Sequence, residues 1–416
     1  GGEEGTIRKN LIDHNNIDAI IGLPANIFFG TGIPTIIMVL RKNKKDSDVL
    51  IIDASKGFEK DGKNNKLRAC DIKRIVDAYK ERPEKIEKFA RRVSRAEIIQ
   101  NDYNLNIPRY VDFSEKAESW DIYASMFGGI PEAELQDLSA YWTAFPHLKA
   151  ALFSPDNEAY CRLNVANLKN AVLSHPDVVA FKTAFQNAFG DFDAYLKSAL
   201  IDGMTQLNAA GEEERLSREI FARLAGIPLV DRYAAYQLLD DDWKKIAIDL
   251  EIIQTEGFAA TKQVDPNMVL KKDAEVQDGW VGHVLPFELV QSVKMHEEVA
   301  ALRAKETRFA EIAGEYESYL DELSEEDKEQ DFVNDGAFVA AEVKKAIKAR
   351  EVEPATLSIL KDVDALFAEE KTLKKQVKDD SAALHQRTKG VIERLTDEEV
   401  RDLLHRKWIL PLMENL

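Results

Sequence analysis

The chain has 416 residues, enough for two or three domains, and its 45% hydrophobic and 31% charged residues are typical of a soluble globular protein. Its first residues lack the pattern of a signal peptide, so we expect none, and no apolar run approaches the roughly 18–20 residues that a membrane-spanning helix requires. The formal net charge of −18 repels phosphate backbones on average, so contact with nucleic acid would depend on a local basic patch or on a partner.

The cysteines, the histidines and the first residues give three further expectations. Cys70 and Cys161 match no metal or redox spacing, so we expect reduced thiols in a cytoplasmic protein. The seven histidines form no HExxH or other paired motif, and we therefore expect no protein-bound metal. The chain begins with GGEEGT instead of Met, while Ile7–Ile12 already has the pattern of folded sequence. We expect a fragment of a longer protein.

Two apolar runs near the N-terminus organise the first part of the chain. Ile17–Leu23 and Ile33–Leu40 are short, rich in Ile and bounded by Gly or Pro, which predicts two buried strands. Between them lies Pro24–Gly32, a loop that carries Phe28 and Phe29. Loops that are held between rigid strands commonly carry function.

Two clusters of side chains each allow a functional and a structural interpretation. An exposed Phe28 or Phe29 could stack on a flat ligand, including a nucleobase turned out of its duplex; alternatively, both rings plug the end of the sheet. In the cluster Asn106, Arg109 and Tyr110, Arg109 could bind a phosphate; alternatively, bonds from side chains to the backbone hold the loop. Spacing alone leaves both choices open.

The other predictions for the N-terminal part of the chain concern regular structure. They are a short helix at Ile7–Asn15, a strand at Val49–Asp53, helices at Asp71–Tyr79 and Pro83–Arg92, and a capping box at Ser94 and Glu97.

From about residue 115 the apolar period is helical and predicts helices to the end of the chain. The amphipathic candidates before residue 254 are Leu163–Leu173, Val178–Phe189, Phe192–Leu207, Glu213–Leu224 and Asp231–Ile253. Residues 254–286 contain several Gly and Pro residues, which predicts an ordered but extended excursion.

The last third predicts long, coiled-coil-like helices. Apolar residues recur in heptad-like series over Leu302–Leu323 and Ile359–Val391, which are separated by an acidic turn and a shorter helix at Phe338–Lys348. This predicts an antiparallel helical hairpin, which either packs on its own domain or docks another subunit. A final helix at Thr396–Leu416 ends in an apolar stretch that requires a core or a partner.

General catalytic motifs are absent from the sequence. There is no phosphate loop of the GxGxxG or Walker type and no GxSxG motif. Acidic runs such as Glu212–Glu214, Asp240–Asp242 and Glu325–Asp327 are typical of solvated faces or helix caps.

Four segments near the N-terminus occur in a diagnostic order: IRKNLIDHNNIDAIIGLPANIFFGTGIPTIIMVLRKNK, VLIIDAS, LRACDIKRIVDAYK and NDYNLNIPRYVD. Together they resemble the modification (M) subunit of type I restriction–modification systems, which is an adenine-N6 DNA methyltransferase. The helical remainder looks like the C-terminal region of that family but carries no comparable motif.

The resemblance implies an α/β remnant, namely the last strands of a doubly wound methyltransferase sheet, followed by a large, mainly α-helical C-terminal region. It divides the chain into 1–112 (the end of the methyltransferase domain), 113–286 (a helical domain) and 287–416 (an elongated helical arm). In the family, S-adenosylmethionine is held by a loop, and the target amino group by an Asn-Pro-Pro-aromatic tetrapeptide, both upstream of the GGEEGT-like segment. Because this chain contains no Asn-Pro-Pro, we expect the fragment to bind no S-adenosylmethionine and to be inactive alone.

The resemblance also assigns candidate site residues. Related adenine methyltransferases stack an aromatic ring on the extruded adenine just before the last strand hairpin, and the matching residue here is Phe28 or Phe29. Asn26 joins Asn106, Arg109 and Tyr110 as a candidate contact to DNA or within the loops. No catalytic, cofactor-binding or metal-binding residue can be carried over to this chain.

The implied partners are a specificity (S) subunit, a second M subunit, restriction (R) subunits and double-stranded DNA, without a membrane. The acidic C-terminal helices fit attachment to a basic partner better than direct contact with DNA. The alternative from a different functional class is a stand-alone helical interaction module with a structural α/β head. A further possibility is the corresponding part of a fused restriction–methylation polypeptide.

Overall fold

The structure, a computed structural model, describes residues 2–28, 30–111, 120–271 and 274–416. It forms two compact units. The first contains Gly1–Leu196, Asn208–Ala247 and Leu412–Leu416, and the second contains Lys197–Leu207 and Ile248–Pro411. The predicted division at residues 112 and 286 stays a prediction. Within the described ranges, none of the helices combines the length and apolar composition needed to cross a membrane.

A small mixed sheet forms the centre of the N-terminal segment, residues 1–111. The strands are β1 (Ile17–Gly22), β2 (Ile36–Leu40), β3 (Val49–Asp53), β4 (Glu59–Asp61), β5 (Asn64–Lys66), β6 (Lys85–Ile86) and β7 (Ala90–Val93). Five of them form one sheet in the order β2-β1-β3-β7-β6, and β4 pairs with β5 in a separate hairpin. β1 runs parallel to β3, and the other pairs in the sheet are antiparallel.

Helices cover both faces of this sheet. They are α1 (Glu3–Asp13), α2 (Ala69–Glu81) and α3 (Arg95–Gln100), together with a 3-10 turn at Ile107–Arg109. Alternate residues of β3 enter different cores: Ile51 packs with Ile98 on one face, and Ile52 packs with Ile75 of α2 on the other. Because both faces are covered, every residue of β1 and β3 is buried, in agreement with the buried strands that the sequence predicted.

The prediction that β2 is buried was wrong. Ile36 and Leu40 are each 55% exposed, and Ile37 and Met38 are exposed as well. Among the described strands, β2 lies at the lateral edge of the sheet and pairs with β1 on one side only. Val39 is half-buried against the core between the sheet and α2, but the other four residues of β2 are exposed, and apolar composition alone could not reveal this.

The predicted helix at Pro83–Arg92 was also wrong, because this segment forms the hairpin β6–β7. β7 pairs with β3, and Lys88 takes a left-handed conformation, with φ of 54°, in the turn. Backbone pairing with an open strand overrides the helical propensity of the Lys and Glu residues in this stretch, because tertiary context outweighs local propensity. Helix α2 begins two residues before Asp71, whose carboxylate accepts from the backbone N–H of Arg68.

The capping box predicted at Ser94 and Glu97 is half formed. The Ser94 hydroxyl accepts from the backbone N–H of Glu97 at 3.2 Å. The Glu97 carboxylate binds the Arg91 guanidinium at 2.9 and 3.0 Å instead.

The chain between residues 120 and 256 is mainly helical. Its helices are α4 (Ile122–Phe127), α5 (Glu132–Asp137), α6 (Ser139–Ala144), α7 (Leu148–Leu152), α8 (Leu168–Ser174), α9 (Pro176–Ala188), α10 (Phe192–Leu196), α11 (Ala209–Leu224) and α12 (Arg232–Glu256), with a π-helical stretch at Lys197–Asp202. The expectation of helix throughout was wrong here, because β8 (Ile130–Pro131), β9 (Phe153–Pro155) and β10 (Tyr160–Leu163) form a small antiparallel sheet.

Residues 254–286, predicted as an extended excursion, contain the end of α12, a 3-10 turn and a pair of antiparallel strands. A 3-10 turn at Phe258–Lys262 leads into β11 (Val264–Lys271), which pairs antiparallel with β12 (Ala274–Gly282). Gly279 has a positive φ of 78°, and a Cβ there would lie 2.7 Å from the His385 ring, so this close approach requires glycine.

The second unit contains the predicted pair of long antiparallel helices. The elements from residue 287 onward are α13 (Phe287–Lys294), α14 (His296–Glu322), α15 (Glu325–Lys328), β13 (Val333–Asn334), β14 (Ala337–Phe338), α16 (Ala340–Ala349), α17 (Pro354–Ile392), α18 (Asp397–Leu404) and α19 (Leu410–Asn415), with a π-helical stretch at His405–Ile409. Lys305 of α14 binds Asp380 of α17 at 2.6 Å, while Ile312 packs against Leu366 and Leu373.

The apolar end of the chain lies in a core. Trp408 is buried, and its indole N–H donates to the Asp249 carboxylate at 2.7 Å. Lys407 binds the same carboxylate at 2.5 Å. The requirement for a core that the sequence predicted is therefore met within this unit.

Candidate functional site

The loop after β1 lies at the end of the sheet where the parallel strands β1 and β3 both finish. The backbone N–H of Leu23 donates to the Thr35 carbonyl at 2.8 Å and closes the loop. Asn65 of β5 then fixes the loop: its backbone N–H donates to the Asn26 carbonyl at 2.8 Å, and its side-chain amide to the Ala25 carbonyl at 2.7 Å. Asn26 has a φ of 53°, which asparagine tolerates better than most residues.

Phe28 extends from this anchored loop into solvent. Its side chain is 55% exposed, so it does not plug the end of the sheet. Phe29, the other candidate, lies outside the described residues. A ring that stays exposed on an anchored loop can stack on a flat partner, because ordering the loop costs no further entropy on binding.

The second predicted cluster lies at the same end of the sheet, but its members differ in accessibility. Ile107 packs so closely on the end of β1 that a Cβ at Gly22 would lie 2.7 Å from its Cδ1. Tyr110 is only 5% exposed, and its hydroxyl donates to the Asn104 carbonyl at 2.5 Å. Burial raises the pKa of Tyr110. Tyr110 therefore contacts its own loop, in agreement with the structural alternative for this cluster, and a DNA contact by Tyr110 stays an untested prediction.

Arg109 and Asn106 stay accessible in this cluster. The Arg109 guanidinium donates to the Asn101 side chain at 3.1 Å, and the backbone N–H of Asn106 donates to the Asn104 side chain at 2.8 Å. The role of Arg109 at a phosphate stays a prediction.

A basic cavity of about 190 Å³ opens at the same end of the sheet. Its lining includes Lys56, Arg68, Arg74 and Lys88, together with two carboxylates and Phe89. One of these carboxylates belongs to Asp53, the last residue of β3, which pairs in register with Gly22 at the end of β1. The cavity and the Phe28 loop therefore both follow the carboxyl ends of the central strands.

The basic cavity does not fit S-adenosylmethionine. Sites for ligands of that size usually enclose about 300–1,000 Å³, which exceeds the volume available here. The sulfonium group of S-adenosylmethionine is a cation, and a lining rich in Lys and Arg repels it. We therefore assign none of these residues to the cofactor.

The region around this end of the sheet differs in charge from the rest of the chain. Residues 1–111 contain 21 Lys and Arg against 16 Asp and Glu, a net charge of +5. Residues 112–416 contain 35 Lys and Arg against 58 Asp and Glu, a net charge of −23. The acidic average for the whole chain therefore conceals a basic region.

A larger cavity of about 660 Å³ lies among the helices and strands of residues 132–164. The Cys161 thiol donates to the Glu132 carboxylate at 3.2 Å, and Lys149 binds this carboxylate at 2.5 Å. The bond to Glu132 raises the pKa of the Cys161 thiol, which makes the thiol a poor nucleophile. Both cysteines are free and buried, and no group of metal ligands occurs among the described residues.

Comparison with known proteins finds a similarity confined to the first part of the chain. Residues 1–119 match the family model described as N-6 DNA Methylase. This segment carries the sheet, the Phe28 loop and the basic cavity, and it is similar to a family of N6 DNA methyltransferases.

The individual relatives are methylase subunits of type I restriction enzymes. The chain is 41% identical over 122 residues to the MpnII methylase subunit of Mycoplasma pneumoniae, and 42% identical over 128 residues to the MjaVII methylase subunit of Methanocaldococcus jannaschii. Each match covers 29% of this chain and 22% of the relative, so the chain spans about a fifth of the length of these curated relatives. The resemblance of the first segment to type I M subunits is thereby confirmed.

A solved structure of a type I methyltransferase subunit from Streptococcus thermophilus is 54% identical to this chain. The identity applies to the matched part, which covers 27% of this chain and 24% of the other, and the TM-score is 0.26.

The basic cavity was not found by sequence reasoning. Lys56 follows β3, Arg74 lies on α2, and Lys88 lies in the β6–β7 turn, so no spacing in the chain connects them. The signal that the sequence does contain is the local charge balance of residues 1–111.

Proposed function

We propose that this chain is part of the M subunit of a type I restriction–modification system, which transfers a methyl group from S-adenosylmethionine to adenine N6 in DNA. In this proposal the chain supplies one wall of the target-base pocket and the surface that docks other subunits. The observation that carries the proposal is the exposed Phe28 on an anchored loop, within the segment that matches the N-6 DNA methylase family.

Phe28 would stack on the face of an adenine extruded from the duplex. Stacking of a base on an aromatic ring is worth about 1–3 kcal/mol and requires a ring that the base can reach without rearrangement. The two bonds from Asn65 to the loop backbone satisfy this requirement because they fix the loop before DNA arrives.

The sheet has the features expected of the end of a larger one. β2 presents apolar side chains on both faces and has an unpaired edge among the described strands. Apolar strands of this kind are normally covered on both faces and paired on both sides. We propose that upstream sequence of the complete subunit pairs with β2 and supplies the cofactor site and the Asn-Pro-Pro-aromatic tetrapeptide.

The acidic helical region would bind the other subunits. Residues 311–335, at one end of the α14–α17 pair, contain eleven Asp and Glu and a single Lys. Such a surface repels DNA and attracts a basic protein surface. We therefore propose that α14 and α17 dock the S subunit, within a complex that also contains a second M subunit, R subunits and double-stranded DNA.

The first experiment substitutes Phe28 in the complete M subunit, assembled with its S subunit. Phe28→Ala should lower the rate of adenine methylation about 10- to 100-fold through loss of stacking, whereas Phe28→Trp should largely retain it. Protein folding is checked by thermal unfolding of both variants. An unchanged methylation rate in Phe28→Ala would show that Phe28 is not the stacking residue.

The second experiment tests whether the chain is inactive alone. Titration of S-adenosylmethionine into the chain by calorimetry should give no heat of binding, while the complete subunit serves as the positive control. Micromolar binding by the chain would contradict the proposal. Such binding would also indicate that the chain contains a complete cofactor site of its own and does not depend on the remainder of an M subunit.

A further inference from the structure

We infer that the basic cavity binds a backbone phosphate of duplex DNA, through Lys56, Arg74 and Lys88. The inference rests on the proposed function for the identity of the polyanion, and it deepens that function by assigning the chain's own contacts to the DNA backbone. The chemistry recognised is that of a phosphodiester, held by three cations at the end of the sheet that also carries Phe28.

The three cations are free to bind a ligand, whereas the fourth is not. Arg68 binds Asp71 through two bonds, from Nε to Oδ2 at 2.9 Å and from Nη2 to Oδ1 at 3.0 Å. This pair neutralises itself. Within the described part of the chain, neither Lys56 nor Lys88 forms an ion pair, and both are exposed.

Arg74 is oriented by an aromatic ring instead of a carboxylate. Its guanidinium carbon lies 4.1 Å from the centre of the Phe89 ring, and it forms no ion pair with any described residue. Stacking on a ring fixes the guanidinium plane while the N–H groups at its edge stay available. A planar fork held in this way suits two neighbouring oxygens of a phosphate.

The remaining carboxylate in the cavity is already engaged. Asp53 accepts from the backbone N–H of Ser55 at 2.9 Å and is buried at the end of β3. After the pairing of Arg68 with Asp71, three cations face this single carboxylate. The cavity therefore attracts an anion, although the whole chain is acidic.

The position of the cavity favours DNA as the source of the phosphate. A base that stacks on Phe28 leaves its own backbone at the rim of the pocket, and neighbouring phosphates follow along the strand. The loop and the cavity are joined through β5: Asn65 bonds the loop, and Arg68 follows two residues after the strand ends. An acidic protein would find the same cations, but no feature of the cavity selects for a peptide.

The test measures binding of a short fluorescein-labelled DNA duplex to the full chain at low salt, by fluorescence anisotropy. The triple substitution Lys56→Gln, Arg74→Gln and Lys88→Gln should weaken binding at least about tenfold. It should also make the negative slope of log K against log salt shallower by about 1 to 2, because a protein with fewer phosphate contacts releases fewer counterions when it binds. The double variant Lys56→Gln with Lys88→Gln leaves Arg74 in place and should have an intermediate effect.

The matched control removes three positive charges at the other end of the sheet, where β1 and β3 begin. Lys42 and Lys45 follow β2 and Lys80 lies near the end of α2, and none of the three lines the cavity. The control triple with Gln at these positions should bind DNA within about twofold of the unsubstituted chain if charge location matters more than total charge. An equal loss of DNA affinity in the two triple variants would overturn the inference. The absence of DNA binding by the unsubstituted chain would overturn it as well.

Competition with other anions tests whether the cavity prefers the phosphate of DNA to an acidic protein or to free phosphate. Unlabelled duplex should displace the labelled duplex, whereas polyglutamate and inorganic phosphate should do so only at far higher concentration. Displacement by polyglutamate at the same concentration as by duplex would overturn the assignment to DNA. These measurements require no methyl transfer, so they fail or succeed independently of the Phe28 experiment.

Discussion

The N-terminal segment (residues 1–111) and the remainder of the chain differ in charge as much as in secondary structure. The N-terminal segment has a mixed sheet and a net charge of +5, while the remainder is mainly helical with a net charge of −23. A single acidic pI averages these two regions and conceals the net positive charge of the first. The difference suggests a division of roles, in which the basic region contacts DNA and the acidic region contacts protein.

The largest effect is expected from removing the acidic arm. Deletion of residues 287–416 from the complete M subunit should abolish its co-purification with the S subunit, because it removes α14, α17 and the acidic end at residues 311–335. Unchanged co-purification would remove the basis for assigning protein contact to the acidic region.

A substitution that preserves the helices makes the same test independent of folding. Four exposed acids at the acidic end are replaced by Gln: Glu317, Asp321, Glu322 and Glu326. The control replaces four exposed acids elsewhere: Glu134, Glu158, Glu251 and Glu275. The first set should weaken S binding about tenfold or more at low salt, whereas the control should change it little.

Each region also contains a buried carboxylate with the same kind of partners, one cation and one aromatic donor. In the acidic region, Asp249 binds Lys407 and the Trp408 indole. Trp408→Ala should lower the free energy of unfolding by about 4 kcal/mol, since it leaves a large cavity and removes a donor from a buried acid. Chemical denaturation measures this loss. Trp120→Ala is the control, because Trp120 is 84% exposed and its loss should be nearly neutral.

In the basic region the corresponding carboxylate is Asp18, which is fully buried. It accepts from the Tyr79 hydroxyl at 2.7 Å and from Arg82 at 3.0 Å, and so joins β1 to α2. Asp18→Ala should cost about 3 kcal/mol, because it leaves Arg82 half-buried without its main partner. Glu87→Ala removes the partner of Lys85 in an ion pair that is exposed on both sides, and should cost less than about 1 kcal/mol. A similar loss of unfolding free energy in both variants would show that the burial of Asp18 does not determine the cost of its removal.

The smallest effect concerns the pH dependence of the acidic region. His283 lies 2.5 Å from Asp265 and 3.1 Å from Glu256, and the bond to Asp265 raises its pKa above the usual value. Because the folded pKa is raised, the stabilisation is fully present below the unfolded pKa of about 6.5 and is lost as pH rises through the folded value. His283→Gln should reduce the fall in Tm above neutral pH.

The control for this substitution is His296→Gln, since His296 is exposed at the start of α14. It should leave the pH profile of Tm unchanged. If His283→Gln and the unsubstituted chain had the same profile, His283 would not contribute to the pH dependence.

Sequence reasoning located the central strands because their signal is local. β3 was predicted at its observed bounds, and β1 within one residue, since both are mainly apolar and are buried on two faces. β7 was missed because its identity depends on pairing with β3, which lies far earlier in the chain. The exposure of β2 was missed for a similar reason: apolar composition is the same whether or not a neighbour is present.

The candidate site was partly predictable for the same physical reason. Phe28 lies on a contiguous motif, so its loop and its resemblance to a family could be read directly from the chain. Lys56, Arg74 and Lys88 come from three separate elements, and only the fold brings them to one cavity. Tyr110 has the residue type of a ligand contact, but packing against Ile107 and its neighbours makes it a core residue.

The exposed β2 has a practical consequence for anyone who purifies the chain. An apolar edge strand with free backbone groups is a template for strand addition, which is how many proteins begin to aggregate. Two copies can pair β2 with β2 at high concentration, and turbidity should then rise with time. Replacing Ile37 with Lys would place a charge on this edge and should keep the chain dispersed without altering the strands beneath it.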